Sequence, residues 1–469
     1  MILAYEFRFV SISGDFLKIL YKVCENVKHS VKVADNTLTL YVDENEEILA
    51  SFSDTLSASL PHSIYLKGTN VYVANDMPQN QEIKFQITNE NHITPSMINA
   101  YKNGKILANE FGKISDLKYQ NNIVNDKNFT TILSSMLDDF YKNNFVDFGD
   151  FKVSKFNQDV TFDYIVPTNL KALPKVFIAD ENAQIALVSY EKPILNLKTT
   201  ALFRTQNQNA QKFYKVRAAW DLLIYAFCDE LYKNDINFIS ISGKKCNELI
   251  KLGTNYLVGA VKILSQKHLL LEFDKQTNKI EFVDKANSVE LLFLPKFSSL
   301  NEIYTQILKL ENGEIFLKNY SQNSNLIDAE ISSLPSFYTL LGVTGIVLGL
   351  DNNLHKAFEK LLTNAADYSV KKGVSIECVI DENVFNVVKF IKSVMSFSLA
   401  GAGVHNISFG CVQSLAYFFA QYVYEKSNDL KFSDVVLAGE LFKYEAFASQ
   451  FYMHLKPNHD VCFRDFNII

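Results

Sequence analysis

Glycine and proline are scarce in this chain, with 17 and 9 among 469 residues, against ordinary globular shares of about 7% and 5%. Collagen-like, elastic and Pro/Gly-rich disordered chains are thereby excluded. Cysteine is also thinly spread. Cys24, Cys228, Cys246, Cys378, Cys411 and Cys462 form no C-x-x-C pair, which argues against a cysteine zinc ribbon or a thioredoxin-type site. Scattered single thiols fit a reducing compartment, so a cytoplasmic location is expected. A basic excess is lacking too. The net charge of −6 has the wrong sign for a protein that grips a nucleic-acid backbone.

Long hydrophobic runs are missing as well. The N-terminus has no basic region followed by an apolar stretch, unlike a secretory signal. Residues 331–350 carry no formal charge, but Ser332, Ser333, Pro335 and Ser336 interrupt them. Residues 393–424 are uncharged apart from His405 when protonated, and hold Asn406, Gln413 and Gln421. Both stretches are expected to be buried core, with no membrane insertion.

What is present reads as α/β. Length alone suggests about three domains. In residues 1–75, Leu3–Ile12 and Ser63–Val73 have strand periodicity, and Val31–Ala34 and Leu38–Val42 flank an Asp35-Asn36 turn. Helical spacing runs from Gly14 to Val23 and from Glu44 to Ser57. The order βαββαβ predicts a ferredoxin-like module. Residues 76–165 are an unassigned connecting region with one expected helix, Phe129–Tyr141.

Residues 166–330 show alternating strands and helices, as in a layered α/β lobe. Strands are expected at Lys175–Asp180, Gln184–Tyr190 and Pro193–Leu197, then a long helix from Asn209 to Asn234. A strand from Phe238 to Gly243, a helix from Lys244 and a hairpin from Leu269 to Val283 follow. In residues 331–469, helices are expected over Phe337–Leu350, Asn353–Tyr368, Val384–Leu399, His405–Glu425 and Leu441–Tyr452. Strands are expected at Val374–Ile380 and Ser433–Gly439.

Eight of the 17 glycines fall after residue 331, and several stand at places where backbone chemistry is possible. Gly439 and Gly243 each sit where an expected strand meets an expected helix. Such a junction can present N–H groups to a phosphate, or be a plain β-α turn. Gly342, Gly345 and Gly349 match neither a P-loop nor a dinucleotide fingerprint; they are expected to serve packing within a buried helix. Gly401-Ala402-Gly403-Val404-His405-Asn406 lies just before a helix. His405 can polarise a bound group or ligate a metal, or simply pack. His454 and His459 lack the spacing of a helical metal pair. Asp138-Asp139 and Asp229-Glu230 are expected on solvated helix faces.

Three segments of the last third, taken in order, resemble HypF, the carbamoyltransferase of nickel–iron hydrogenase maturation. Ser336-Phe-Tyr-Thr-Leu-Leu-Gly-Val-Thr-Gly-Ile-Val-Leu-Gly-Leu350 is similar to that family's S-x-x-x-x-F-D-A-V-A-A-L-L-G-L stretch. Val404-His405-Asn406-Ile-Ser-Phe resembles F-H-N-T-L-A. Val435-Val-Leu-Ala-Gly439-Glu440-Leu-Phe442 resembles V-x-L-S-G-G-V-F. The resemblance implies an acylphosphatase-like module at 1–75 and a two-lobed actin-like ATPase (ASKHA) domain, with lobes at 166–330 and 331–469. It implies a cleft lined by Gly401, Gly403, His405, Asn406, Gly439 and Glu440, with ATP and a divalent metal as cofactors.

Several family features are absent. No arginine follows Gly14, the C-x-x-C zinc fingers and the metal-binding histidine cluster are missing, and the double glycine of the phosphate loop is Gly439-Glu440. A carboxylate in such a loop repels phosphate. The expectation is therefore a HypF-like maturation factor with degraded phosphate sites, whose partners are the hydrogenase large subunit or other maturation proteins. The alternatives are an active ATP-dependent carbamoyltransferase and, from another class, a kinase-like enzyme of the same fold.

Overall fold

A computed structural model of the chain describes every residue except 82, 84–92, 245, 260–263, 325 and 332–334. Ser332 and Ser333, which interrupt the apolar run, lie outside the described residues. Residues 1–249 with Ile469 form one compact unit and residues 250–468 another.

The first unit opens with β1 (Ile2–Phe9), α1 (Gly14–Val23), β2 (His29–Ala34), β3 (Thr37–Asp43), α2 (Glu46–Ser59) and β4 (Leu66–Ala74). The strands pair antiparallel in the order β2-β3-β1-β4, as a ferredoxin-like module requires. Alternation puts Tyr5, Phe7 and Phe9 of β1 and Leu38, Leu40 and Val42 of β3 on one face. There they meet Phe16, Leu17 and Leu20 of α1 and Leu49, Phe52 and Leu56 of α2. Each such side chain contributes about 2 kcal/mol on burial, and Phe16→Ala is expected to cost about 3–5 kcal/mol. Side-chain caps set both helix starts: Ser13 accepts from the Asp15 N–H and Asn45 from the Ile48 N–H.

The same unit continues with α3 (Phe129–Asn143), β5 (Phe145–Asp147), β6 (Lys152–Lys155) and β7 (Tyr164–Pro167). Then come α4 (Glu181–Val188), β8 (Ile194–Thr199), β9 (Phe213–Val216), α5 (Leu222–Lys233) and β10 (Phe238–Ser242). The strands lie in the order β8-β9-β7-β10-β6-β5, and α3 and α5 cover one face through Phe140 and Phe227.

Four expectations fail here in whole or in part. The segment expected as the strand Gln184–Tyr190 is α4, because Asp180 caps it by accepting the Ala183 N–H at 2.8 Å; Lys175 belongs to a short helical turn, and only Phe177–Ile178 pairs as strand. The long helix expected from Asn209 begins only at Leu222, where Asp221 caps it, because 213–216 pair as β9 between β7 and β8. The helix expected from Lys244 is absent among the described residues; Gly243 turns at φ +96°, and Glu248–Leu252 is a strand.

The second unit contains β11 (Lys267–Phe273), β12 (Asn278–Asp284), β13 (Asn287–Glu290), α6 (Phe337–Val347), α7 (Leu354–Asp367) and α8 (Val387–Leu399). It ends with α9 (Val404–Leu430), β14 (Asp434–Ala438), α10 (Glu445–Leu455) and β15 (Asp460–Phe463). The sheet order is β13-β12-β11-β14-β15, with β14 parallel to both neighbours. Helix α6 is buried along its whole length. Gly342 and Gly345 let α7 lie against it: a Cβ on Gly345 would stand 2.5 Å from the Ala357 carbonyl oxygen. Gly349 differs from the packing role expected for it. It ends the helix at φ +70° and faces open space.

The strand expected at Val374–Ile380 is instead an extended strap laid on α9. Asn406 Oδ1, Gln413 Oε1 and Ser414 Oγ accept from the N–H groups of Val374, Gly373 and Ile376 at 2.9, 3.0 and 2.9 Å. Side chains at helical spacing here do the work of a neighbouring strand. Only Ile380–Asp381 pairs as strand, with Val384–Phe385. No helix among the described residues is long and apolar enough to cross a membrane.

Candidate functional site

Gly439 follows β14 at φ +99°, which favours glycine. A Cβ there would stand 2.5 Å from the carbonyl oxygen of Phe273, at the end of β11. The close approach brings the β11–β12 turn beneath the loop, and Asp274 Oδ1 accepts the Glu440 N–H at 2.8 Å. A backbone donor of the phosphate-loop type is thus already engaged by an internal carboxylate. The Glu440 side chain turns outward to Lys443, 2.7 Å away.

Tyr338, His355, Glu359 and Tyr444 gather on the same side. Tyr338 Oη and His355 Nδ1 are hydrogen-bonded, and His355 Nε2 lies 3.3 Å from Glu359 Oε1. Burial, then the charges of Glu359 and Glu440, push the Tyr338 hydroxyl above its ordinary range. Burial pushes Tyr444 up to about 12. This neighbourhood favours neutral phenols and opposes anions.

The other expected site residues lie elsewhere. Gly403 precedes α9, and His405 Nε2 is 3.6 Å from Asp367 Oδ2, at the last residue of α7. His355 stands near the first residue of α7. At 1.5 Å rise per residue the two ends are about 18 Å apart, so His405 and the Gly439-Glu440 loop do not share one cluster. Asn406 is occupied in holding the strap. Gly401, at φ +78°, ends α8, with the Gly401 and Ala402 N–H groups bonded back to Ser398 and Phe397. Among the described residues no group of three His, Cys, Asp or Glu side chains is placed to hold a metal.

The N-terminal module has an analogous feature. Asp15, buried in the first turn of α1, stands at the positive helix end where an anion would bind.

Sequence reasoning missed two places. One is the Tyr338–His355–Glu359 chain, whose members gain meaning only when α6 and α7 cross. The other is a cleft of about 690 Å³ in the first unit, lined by Asn143, Asn144, Lys155, Phe156, Ser240 and Ser242 among others. Its lining comes from separate segments; the sole local signal is Ser240 and Ser242, two apart on one face of β10.

No protein-family model matches the chain. A curated relative, Protein HydE of Wolinella succinogenes, is 28% identical over 162 residues, 32% of this chain. The match spans about 30% of that relative's length. Among solved structures, full-length HypF in a phosphate- and nucleotide-bound form aligns with a TM-score of 0.57 at 10% identity, covering 99% of this chain and 96% of its own. HypF of T. kodakarensis aligns with a TM-score of 0.62 at 10% identity, covering 98% and 95%. The chain therefore has the fold of HypF over nearly its whole length and is similar in part of its sequence to HydE.

Proposed function

We propose that the chain is a hydrogenase-maturation factor that acts by binding a partner, not by phosphate chemistry. The observation that carries this reading is the Glu440 N–H···Asp274 hydrogen bond, which fills the loop with an internal anion. Asp15 at the head of α1 supports it independently. The donor set at Gly439 does not fit ATP: the N–H is spent, and Asp274 and Glu440 oppose a phosphate. No step is therefore assigned through a nucleotide or a divalent metal. The partner is a hydrogenase large subunit or another maturation protein, in keeping with the names of the similar proteins.

The test is recovery of the tagged full chain from its own cells, alongside deletion of its gene. A hydrogenase subunit or maturation protein is expected to co-purify, and hydrogenase activity to fall on deletion. Neither result appearing would end the reading. Saturable ATP binding lost on Gly439→Val would replace it with the active transferase.

A further inference from the structure

We propose that β4 is the docking edge for a second copy of this chain, which adds its own β4 antiparallel across a two-fold axis. In the order β2-β3-β1-β4 both β2 and β4 are edge strands, and the chain treats them differently. The β2 edge is occupied. Asn80 Oδ1 accepts the Val31 N–H at 3.0 Å, Gln81 Oε1 accepts the Val33 N–H at 2.8 Å, and the Gln81 N–H donates to the Val31 carbonyl at 3.1 Å. Strand β4 pairs with β1 alone among the described residues. At its middle, the Val71 N–H donates to Asn70 Oδ1, the side chain of its own neighbour, at 3.0 Å.

This edge is long, apolar and bare. The register sets Val73, Val71 and Thr69 beside Leu3, Tyr5 and Phe7 of β1, on the face that α1 and α2 cover. The helices nevertheless leave Val71 54% and Val73 64% exposed, and Tyr72 on the other face is 40% exposed. Edge strands are normally blunted by a lysine, a proline or a bulge. From Gly68 to Asn75 there is no charge and no proline, and the one register shift falls earlier, between Arg8 and Phe9 on β1. Unpaired backbone groups in a row specify an extended strand as the occupant.

Charge selects a second copy as the source of that strand. Lys67 and Asp76 flank the uncharged stretch at opposite ends; both are exposed, and neither has an ion-pair partner among the described residues. A two-fold contact sets the same patch against itself. With Val71 on the axis, Val71 faces its own copy, Thr69 faces the second copy's Val73, and Asn70 faces its Tyr72. Lys67 then faces Asn75 of the second copy, with Asp76 the next residue along, and the same pairing recurs at the far end. A parallel alignment would instead set lysine beside lysine and aspartate beside aspartate. Facing β-branched pairs stabilise a ladder, and like charges facing each other weaken it. This surface is independent of the maturation reading and of the Gly439 loop.

Sedimentation equilibrium of the purified full chain is the test. An edge pairing belongs to the small class of interfaces, so a dimer with a Kd on the order of 10 μM is expected. Val71→Lys places two ammonium groups at the axis and should weaken the dimer about tenfold or more. Lys67→Asp alone and Asp76→Lys alone each set like charges together and should weaken it about fivefold. The double exchange Lys67→Asp, Asp76→Lys restores opposite charges and should recover the wild-type Kd to within about twofold. Melting curves check that each variant is folded; if Val71→Lys is not, the charge exchange decides alone. A wild-type chain that stays monomeric to about 200 μM overturns the proposal. So does a dimer that Val71→Lys leaves intact, or one that the double exchange does not restore. A monomer whose β4 instead captures a strand of another protein, lost on Val71→Lys, also overturns self-pairing and names the other occupant.

Discussion

Gly410 lies in the middle of α9, where alanine ordinarily strengthens a helix by about 1 kcal/mol. The tertiary structure reverses that sign. A Cβ at this position would stand 2.4 Å from the Val374 carbonyl oxygen, so the strap must retreat by about 1 Å to reach ordinary contact. The strap is not free to do so, because the N–H groups of Gly373, Val374 and Ile376 are held by Gln413, Asn406 and Ser414. Loosening two of these bonds costs about 2 kcal/mol, and residual overpacking adds about 1 kcal/mol. Set against the propensity gain, Gly410→Ala is expected to destabilise the second unit by about 2 kcal/mol. For a unit of this size the melting temperature should fall by about 4–8 °C. Urea denaturation gives the free energy, and faster amide exchange at Val374 should locate the damage in the strap. Gly403→Ala is the control, since nothing lies within 4 Å of its Cβ; it should change stability by less than about 0.5 kcal/mol. A Gly410→Ala protein as stable as the wild type, or more so, would refute the argument.

Other outcomes follow from single contacts. At about 5 Å from a seated phosphate, each of Asp274 and Glu440 would oppose it by about 3 kcal/mol per unit charge at an effective dielectric of about 20. Calorimetry should therefore find phosphate binding at the Gly439 loop in the Asp274→Ala, Glu440→Gly double variant and not in the wild type. Equal binding by both would show that the carboxylates do not close the loop. Burial pushes Asp221 up from 3.8 to about 6, so the folded chain holds this proton more tightly than the unfolded one. The stability gained is complete below about pH 4 and is lost as pH rises through about 6, at most about 3 kcal/mol in all. Asp221→Asn should flatten that slope in denaturation curves, and an unaltered slope contradicts the assignment. Burial raises the thiols of Cys24, Cys228 and Cys411. These three should react with a disulfide reagent only on unfolding; rapid labelling of any of them in the native chain would show the burial to be wrong.

The parts that could be read in advance are those whose periodicity is local. In the N-terminal module each strand is half-buried and each helix amphipathic, so periods of 2 and 3.6 survive in the residues themselves. The same holds for α7, where Phe358, Leu361, Leu362 and Ala365 repeat at helical spacing. Gly342 and Gly345 were also readable as packing residues, because an uncharged run without a phosphate pattern has few other uses for them. The failures have non-local causes. Ile185-Ala-Leu-Val is apolar in both periodicities, and a single cap at Asp180 decides for helix. Residues 213–216 are drawn into a sheet by β7 and β8, tens of residues away. The strap at Val374 resembles a strand in its residues, yet its acceptors are side chains of α9.

The candidate site divides in the same way. Glu440 in place of a second glycine was visible in the chain and already told against a phosphate. That Asp274, 166 residues earlier, takes up the loop's N–H could be seen only once β11 and β14 lay side by side. The separation of His405 from that loop by the length of α7 was equally invisible, because motif order carries no distance. The sequence by itself determined the α/β class, the opening module and the helices of the last third, since these rest on contacts between near neighbours. The tertiary structure alone decided which donors are occupied and which glycines are crowded. Each of those depends on atoms that the chain brings together from far apart, and local spacing holds no record of them.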